Sequence, residues 1–574
     1  MIPSAVAAAA FAAVIVTLIG YLFAARQGAK RKITHPDDYF LARNRLTPND
    51  FGDTQIAYAL QMSTVYPFFI LAAAGAWLVP VLNSLFWFIG ILFFMGLVGR
   101  FKPFLGQSRT IHALIAEANG SQRLRPLASS MTIIAFAGVV VFEIVYGASV
   151  FRVLFGDNNI VYYVIICSLT AYLVTYIWYG GETATLRTEQ LQLLVAYLGL
   201  HFALAHMFAT SEVNMSGITP SIVPWLVFAA CVAMLWSRGR ALAAAIRAKR
   251  VIIGVGYSLM LVSLITLMVA LGAALPRLNY GNFLAVDSTV GSLHSVDFWF
   301  MLGTAALLPV FWQFVDLTNW QRVCALAASN AEQYATSTRR GFIDYLIESP
   351  LSWLLAVLLG LTAPQVMTLT GAGADPFEMF IRHFLLEPGL PQIVGVFLVA
   401  GIVGVFMSTA DAAITAMGYA YAYDLSREGR TLVDQENLTE EQVLRVVRSG
   451  RRFMAVSTGA VVVLFIALDW VFSAGQTFVG LLFAFYTPVV SLAPAVLCPL
   501  ILRRRPPAVF AFLSILIGAG VGLGIGIYSA VGHPEVQWYP APLSVIVSWS
   551  LYTLGLPFGQ RIPQGLTVTM KRQV

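Results

Sequence analysis

The chain has 574 residues, of which 58% are hydrophobic and only 11% charged, with a mean hydropathy of +0.77. That balance excludes a soluble globular domain and describes an integral membrane protein. The net charge of +7 would point to nucleic acid in a soluble chain, but here the basic residues sit between apolar segments, so the expected partner is a lipid membrane and no nucleic acid.

Apolar segments fall at 4–26, 51–77, 80–100, 127–151, 158–179, 184–210, 219–236, 249–274, 298–319, 341–363, 391–423, 451–469, 477–501, 507–531 and 541–559, fifteen candidate spans. Runs of ~20 apolar residues are helices rather than barrel strands, which need only ~10 alternating residues. Segment 4–26 differs from a secretory signal because its apolar run is long and its basic cluster follows it, so it is kept as the first span. With the N-terminus outside, 32 of the 35 Lys and Arg residues fall on the inward side and only Arg152, Arg277 and Arg382 outward. This bias predicts a multi-pass protein of the plasma membrane (the inner membrane in a bacterium) with a cytoplasmic C-terminus. Cys167, Cys231, Cys324 and Cys498 have no paired spacing; they read as core filler, without a disulfide framework or zinc site.

Taken in order, the second span carries Gln61-Met-Ser-Thr-Val-Tyr-Pro67, consecutive polar residues and a proline that predict a break or unwinding. No basic residue is left in the middle of a span, whereas Glu143, Glu189, Asp316, Glu348 and Asp411 lie within spans or near their ends. That asymmetry favours handling a cation, with satisfied helix partners as the competing reading for Glu189 and Glu348. His201 and His206 are five apart, off a common helix face, and read as packing or interfacial residues, with pH sensing as the alternative. In the ninth span Leu308-Pro309 and the following Phe-Trp-Gln-Phe-Val-Asp316 combine a proline, polar groups and aromatics. Interrupted helices in corresponding positions of two halves are the sequence pointer to a transporter site, a simple proline kink being the ordinary alternative.

The eleventh span holds Gly401-Ile-Val-Gly-Val-Phe-Met-Ser-Thr-Ala-Asp-Ala-Ala-Ile-Thr-Ala416, small residues that let helix backbones approach. Ser408 and Thr409 share a face with Val405, and Asp411 and Thr415 extend the polar stripe from Ser408. The stretch reads as an ion site, against the alternative that the hydroxyls bond back to their own helix. Segment 424–452 is the most charged and reads as a solvated cytoplasmic helix or loop, which makes the sequon at Asn437 a chance match. No nucleophile–base pair, nucleotide loop or metal-ligand spacing is present, so an enzyme is not expected, nor any cofactor beyond a coupling ion.

Four separated stretches resemble the sodium:solute symporter family, which includes sodium/proline, pantothenate and sodium/galactose symporters. They are Asp38-Tyr-Phe-Leu-Ala42; Gly180-Gly181 with Thr188-Glu-Gln-Leu-Gln192, where Glu189 replaces the usual Asp; Asn319-Trp-Gln-Arg322 with Ala325, Ala327 and Ala328; and Met407-Ser-Thr-Ala-Asp411 leading to Tyr423-Asp424. The resemblance implies an all-α membrane protein with a five-plus-five inverted repeat. Residues 51–210 would be repeat one and 298–501 repeat two, with 4–26 and 507–559 as additions and 219–274 as an inserted helix pair. It also implies a sodium site of the Ala59, Met62 and Val405 carbonyls and the Ser408 and Thr409 hydroxyls, with Glu189 and Asp411 along the ion pathway. Gln61 stands where proline-type members carry an acid, and Glu143 where many relatives have Gln. The expected lining for a small-molecule substrate is Gln61, Ser63, Tyr66, Glu143, Trp312, Gln313 and Asp316. The implied function is sodium-coupled import of a small organic solute by alternating access; a solute sensor and a proton-coupled transporter of the same fold are the alternatives.

Overall fold

The structure, a computed structural model, describes all residues except 1, 30–31, 44–45, 102–109, 157–158, 211–221, 248–250, 278–294, 330–333, 367–374, 433–437, 473–477 and 563–574. The Asn437 sequon therefore lies outside the described residues. The helices, in chain order, are α1 (Ser4–Ala29), α2 (Pro36–Phe40), α3 (Pro48–Ala59), α4 (Met62–Ala73), α5 (Leu78–Leu97), α6 (Ile111–Ala118), α7 (Leu124–Phe155), α8 (Asn159–Ala209), α9 (Ile222–Arg247) and α10 (Val251–Ala274). There follow α11 (Val296–Val315), α12 (Leu317–Ser329), α13 (Tyr334–Val366), α14 (Pro376–Leu386), α15 (Leu390–Ala420), α16 (Arg427–Leu432), α17 (Glu440–Phe472), α18 (Phe478–Val490), α19 (Ala493–Leu502), α20 (Ala508–Ala530) and α21 (Pro540–Gly555). Among the described residues, 13 helices are long and apolar enough to cross a membrane, or 14 with the bent pair α3/α4 taken as one span. The chain is a multi-pass all-α membrane protein.

One of these helices holds two spans. α8 has 51 residues, about 75 Å at 1.5 Å per residue, more than twice the hydrocarbon thickness. Gly181, at φ 56 and ψ −150, turns the chain inside it, between the segments 158–179 and 184–210. Only glycine fits here: the φ is left-handed, and an added Cβ would lie 2.4 Å from the Tyr39 carbonyl oxygen.

Both expected interruptions are present, but neither lies at its proline. α3 and α4 meet at a 51° bend at Leu60 and Gln61, whose ψ angles of 79 and 143 leave the helical region. Pro67 comes later, inside α4. α11 likewise runs through Pro309 and stops at Asp316, with ψ 115, before α12 begins. At both places a carboxylate receives the freed N–H groups, so the break sits where those groups find an acceptor rather than where a proline removes one. The thirteenth span is also divided, between α18 and α19.

α15 packs along α8, and glycines bring the two backbones together. A Cβ on Gly404 would lie 2.9 Å from the Gln192 carbonyl oxygen and one on Gly199 2.7 Å from that of Phe397, so the close approach expected of Gly401 and Gly404 is realised. The segment 219–274 forms α9 and α10, which pack on each other, on α13 and on α8.

Two arginines that follow apolar runs in the sequence are buried within helices. Arg238, read as part of an inward link, is 1% exposed within α9. It donates to Asp53 of α3 at 2.6 Å and to Glu348 of α13 at 2.5 Å. Arg322 of α12, also 1% exposed, donates to Glu189 at 2.5 Å. Paired carboxylates are what permit such burial.

Candidate functional site

The end of α3 is the first component. A helix leaves its last carbonyls without intrahelical partners, and here three of them find groups on neighbouring helices. The Ser408 hydroxyl lies 2.8 Å from the carbonyl oxygens of both Ala57 and Val405, and the Thr409 hydroxyl donates to Tyr58 at 3.0 Å. The Ala59 carbonyl accepts from the Trp353 indole N–H of α13 at 2.8 Å. The structure therefore brings Ser408, Thr409 and Val405 to the end of α3 and turns Ala59 toward Trp353. Met62 lies on the far side of the break, its N–H donating to Glu143. Thr415, further along α15, bonds back to the Asp411 carbonyl at 2.8 Å.

The second component is the cap on α4. Gln61 supplies no side-chain cap; its amide donates to Thr64 instead. Glu143 of α7 takes the Met62 and Ser63 N–H groups, one on each carboxylate oxygen, at 2.8 and 2.9 Å. A carboxylate at a helix N-terminus satisfies orphan donors and suits the positive end of the dipole. Glu143 thus holds the broken helix, with both carboxylate oxygens engaged by backbone N–H groups. Asp316 plays the matching part between α11 and α12: one oxygen accepts from the Thr318 N–H and hydroxyl at 2.8 and 2.7 Å, the other from the Trp312 indole at 3.1 Å.

A cavity of about 60 Å³ lies beside the break, lined by α4, α5, α11, α13 and α18. Its polar groups are Gln61, Ser63, Thr64, Asn83 and Thr304, and its aromatic walls include Trp87, Trp312, Trp353, Tyr486 and Trp538. The Tyr486 hydroxyl donates to Ser63 at 3.1 Å, and its ring lies 5.0 Å from that of Trp312. Of the expected lining, Gln61, Ser63 and Trp312 face this space. Tyr66 instead bonds Asp375 and stacks on Tyr146 at 4.4 Å, Gln313 is buried against Asn319, and Glu143 and Asp316 are the two caps. Trp353, Tyr486, Trp87 and Asn83 escaped the sequence reading because an aromatic or a lone amide in an apolar helix carries no local sign of the cavity it faces.

Deeper along α15, Asp411 accepts from Tyr176 and, at 3.2 Å each, from Thr188 and Gln192 of α8. All three bond one carboxylate oxygen; the other carries no hydrogen bond among the described residues, and the same holds for the second oxygen of Glu189. Arg322 joins Glu189 to Gln55 at 2.8 Å and to the Thr54 carbonyl at 3.1 Å. The four resembling stretches converge here. Gln321 donates to the Phe40 carbonyl, Tyr39 packs on Gly181, and Tyr423 donates to Asp37 at 2.6 Å. Asp424 is closed off by His112 at 2.6 Å, Arg125 at 2.6 Å and Thr110 at 2.8 Å. Burial pushes the Tyr39 phenol up to about 12, so it stays a donor, to the Ile177 carbonyl at 2.7 Å.

This fold is shared with a sodium-coupled transporter. A solved structure described as the substrate-bound outward-open state of a Na+-coupled sialic acid symporter matches over 97% of this chain and 99% of that one, with a TM-score of 0.67. The identity is 13%, so the likeness is one of architecture: an all-α inverted-repeat transporter fold with interrupted helices. No protein-family model matches the chain, and no curated protein matches its sequence.

Proposed function

We propose that the chain is a sodium-coupled symporter that imports a small organic solute across the plasma membrane by alternating access, with its N-terminus outside and its C-terminus in the cytoplasm. The observation that carries this reading is the meeting of Ser408 and Thr409 with the end of the broken helix. The Ser408 hydroxyl meets the Ala57 and Val405 carbonyls, and the adjacent Thr409 hydroxyl meets that of Tyr58. Neutral oxygens from an interrupted helix and its neighbour suit a hard monovalent cation that must also leave. Sodium there would replace the present hydroxyl–carbonyl bonds. Ala59 and Met62, the other carbonyls expected from the family resemblance, join when Trp353 releases Ala59 and the break turns. Glu189 and Asp411, each with a carboxylate oxygen that carries no hydrogen bond among the described residues, extend the ion's path.

The fold shared with a Na+-coupled sialic acid symporter and the four resembling stretches support the same reading. The cavity lining argues for a different solute. It holds no charged side chain among the described residues, so nothing in the lining pairs with the charge of a charged solute. We therefore assign an uncharged polar solute, held by amides and hydroxyls and stacked on indole rings. Sodium entry into a negative-inside cell gains ~2.3 kcal/mol per charge for each 100 mV, enough for roughly fifty-fold accumulation from one ion.

The test is uptake into proteoliposomes with sodium outside and a negative interior, using a panel of neutral sugars, nucleosides and amides beside carboxylated sugars. Uptake of a neutral member, abolished when potassium replaces sodium, is the expected result. Equal uptake in both salts would reject sodium coupling, and transport confined to carboxylated solutes would reject the substrate class.

A further inference from the structure

A second, larger cavity lies away from the break. Its volume is about 720 Å³, and it is enclosed by α1, the second half of α8, and α10. That is within the range of ~300–1,000 Å³ typical of organic ligand sites. Its rim includes Phe23, 60% exposed, and Val251, 75% exposed. These apolar residues on helices that cross the membrane open the cavity toward the bilayer rather than toward water.

The polar groups gather at one end: Gln27 of α1, Arg187 and Gln190 of α8, and Asp53 with Tyr257. Asp53 is already held by Arg238 and Tyr257, which leaves Arg187 as the charge that faces a ligand. Its side chain is 37% exposed, its contact with Asp50 is long, at 3.9 Å, and its bond to the Gln190 side-chain oxygen is weak, at 3.4 Å, while Gln190 takes the same Asp50 oxygen at 2.9 Å. Arg26, next to Gln27 in the sequence, adds a second basic residue on α1 near this end. An apolar cavity opening to lipid, with an incompletely paired guanidinium at its polar end, is complementary to one membrane component. Basic pockets between membrane helices bind anionic head groups.

We propose that this cavity is a binding site for an anionic phospholipid, its phosphate at Arg187 and an acyl chain running between α1, α8 and α10. The lipid would lie against Tyr257, and through it against the Asp53–Arg238 pair that ties the inserted helices to α3. It would act as a filler on which the packing of α9 and α10 depends.

The test uses the full chain purified in phospholipid-free detergent, with thermal unfolding followed as phosphatidylglycerol, phosphatidylcholine or glycerol 3-phosphate is added. Phosphatidylglycerol is expected to raise Tm saturably, with phosphatidylcholine much weaker and glycerol 3-phosphate without effect. Arg187→Gln is expected to weaken the phosphatidylglycerol midpoint about fivefold, the contribution of one basic residue near an anionic surface. Gly256→Leu and Gly20→Leu fill the cavity. Their nearest neighbours are side-chain atoms at 3.6 and 4.0 Å, so both variants should fold, and both should lose the shift. Equal shifts from the two lipids, a full shift in the filled variants, or an effect from glycerol 3-phosphate alone would each overturn the proposal.

Discussion

Glu143 accepts the Met62 and Ser63 N–H groups, and Asp316 accepts that of Thr318, so the two interrupted helices are held by buried acids. The sequence marked both residues as unusual, since a carboxylate inside a span demands a partner. Their partners were illegible, because backbone N–H groups exposed by a break leave no trace in residue identity. Glu143→Gln keeps the shape but presents an amide to one of the two N–H groups. Thermal or denaturant unfolding in detergent should show a loss of roughly 1.5–3 kcal/mol, the range for a hydrogen bond to a charged group. Trp353 was missed altogether, although its ring lines the small cavity while its N–H holds the Ala59 carbonyl. Trp353→Phe should destabilise the sodium-free protein by about 1–3 kcal/mol, the range for a buried acceptor left bare. The loss should be smaller with sodium present if the proposed ion takes that carbonyl. An equal loss in both conditions would separate Ala59 from the ion.

At the scale of helices, hydropathy located the spans well and prolines located the breaks poorly. Pro67 and Pro309 both sit inside helices, and the chain opens instead at Leu60–Gln61 and at Asp316. The Gly180-Gly181 pair was read as a motif; its physical reason, a positive φ beneath Tyr39, required the fold. Arg238 lies beyond the apolar run 219–236 but inside α9, between Asp53 and Glu348, and residue identity does not tell a buried, paired charge from a solvated one. Arg238→Ala leaves two carboxylates without their cation and should lower stability by about 3–5 kcal/mol. Replacing all three together, as Arg238→Met, Asp53→Leu and Glu348→Met, should recover most of that loss on the same unfolding measurement. Gly404→Leu drives a side chain into the Gln192 carbonyl, 2.9 Å from where its Cβ would stand. It should separate α15 from α8 and remove any sodium-dependent stabilisation, while Gly459→Leu on α17, where an added Cβ meets nothing within 4 Å, should be silent.

For the molecule as a whole, the fold class was legible because bilayer thickness fixes span length, and fifteen apolar runs leave few alternatives to a helical transporter. The site was only partly legible. Ser408 and Thr409 stood out as hydroxyls at depth, whereas the carbonyls they face, Ala57 and Tyr58, have side chains that say nothing about coordination. In the proposed mechanism this meeting of α15 with a broken helix binds sodium. The most direct measurement is a sodium titration of thermal stability in detergent, with potassium and choline as controls, for the unaltered chain and for Ser408→Ala/Thr409→Ala. Saturable stabilisation by sodium alone is expected, by about 2.7 kcal/mol at a hundredfold excess over Kd, and its loss in the double variant. Stabilisation by potassium equal to that by sodium, or a sodium effect undiminished in the double variant, would contradict the account.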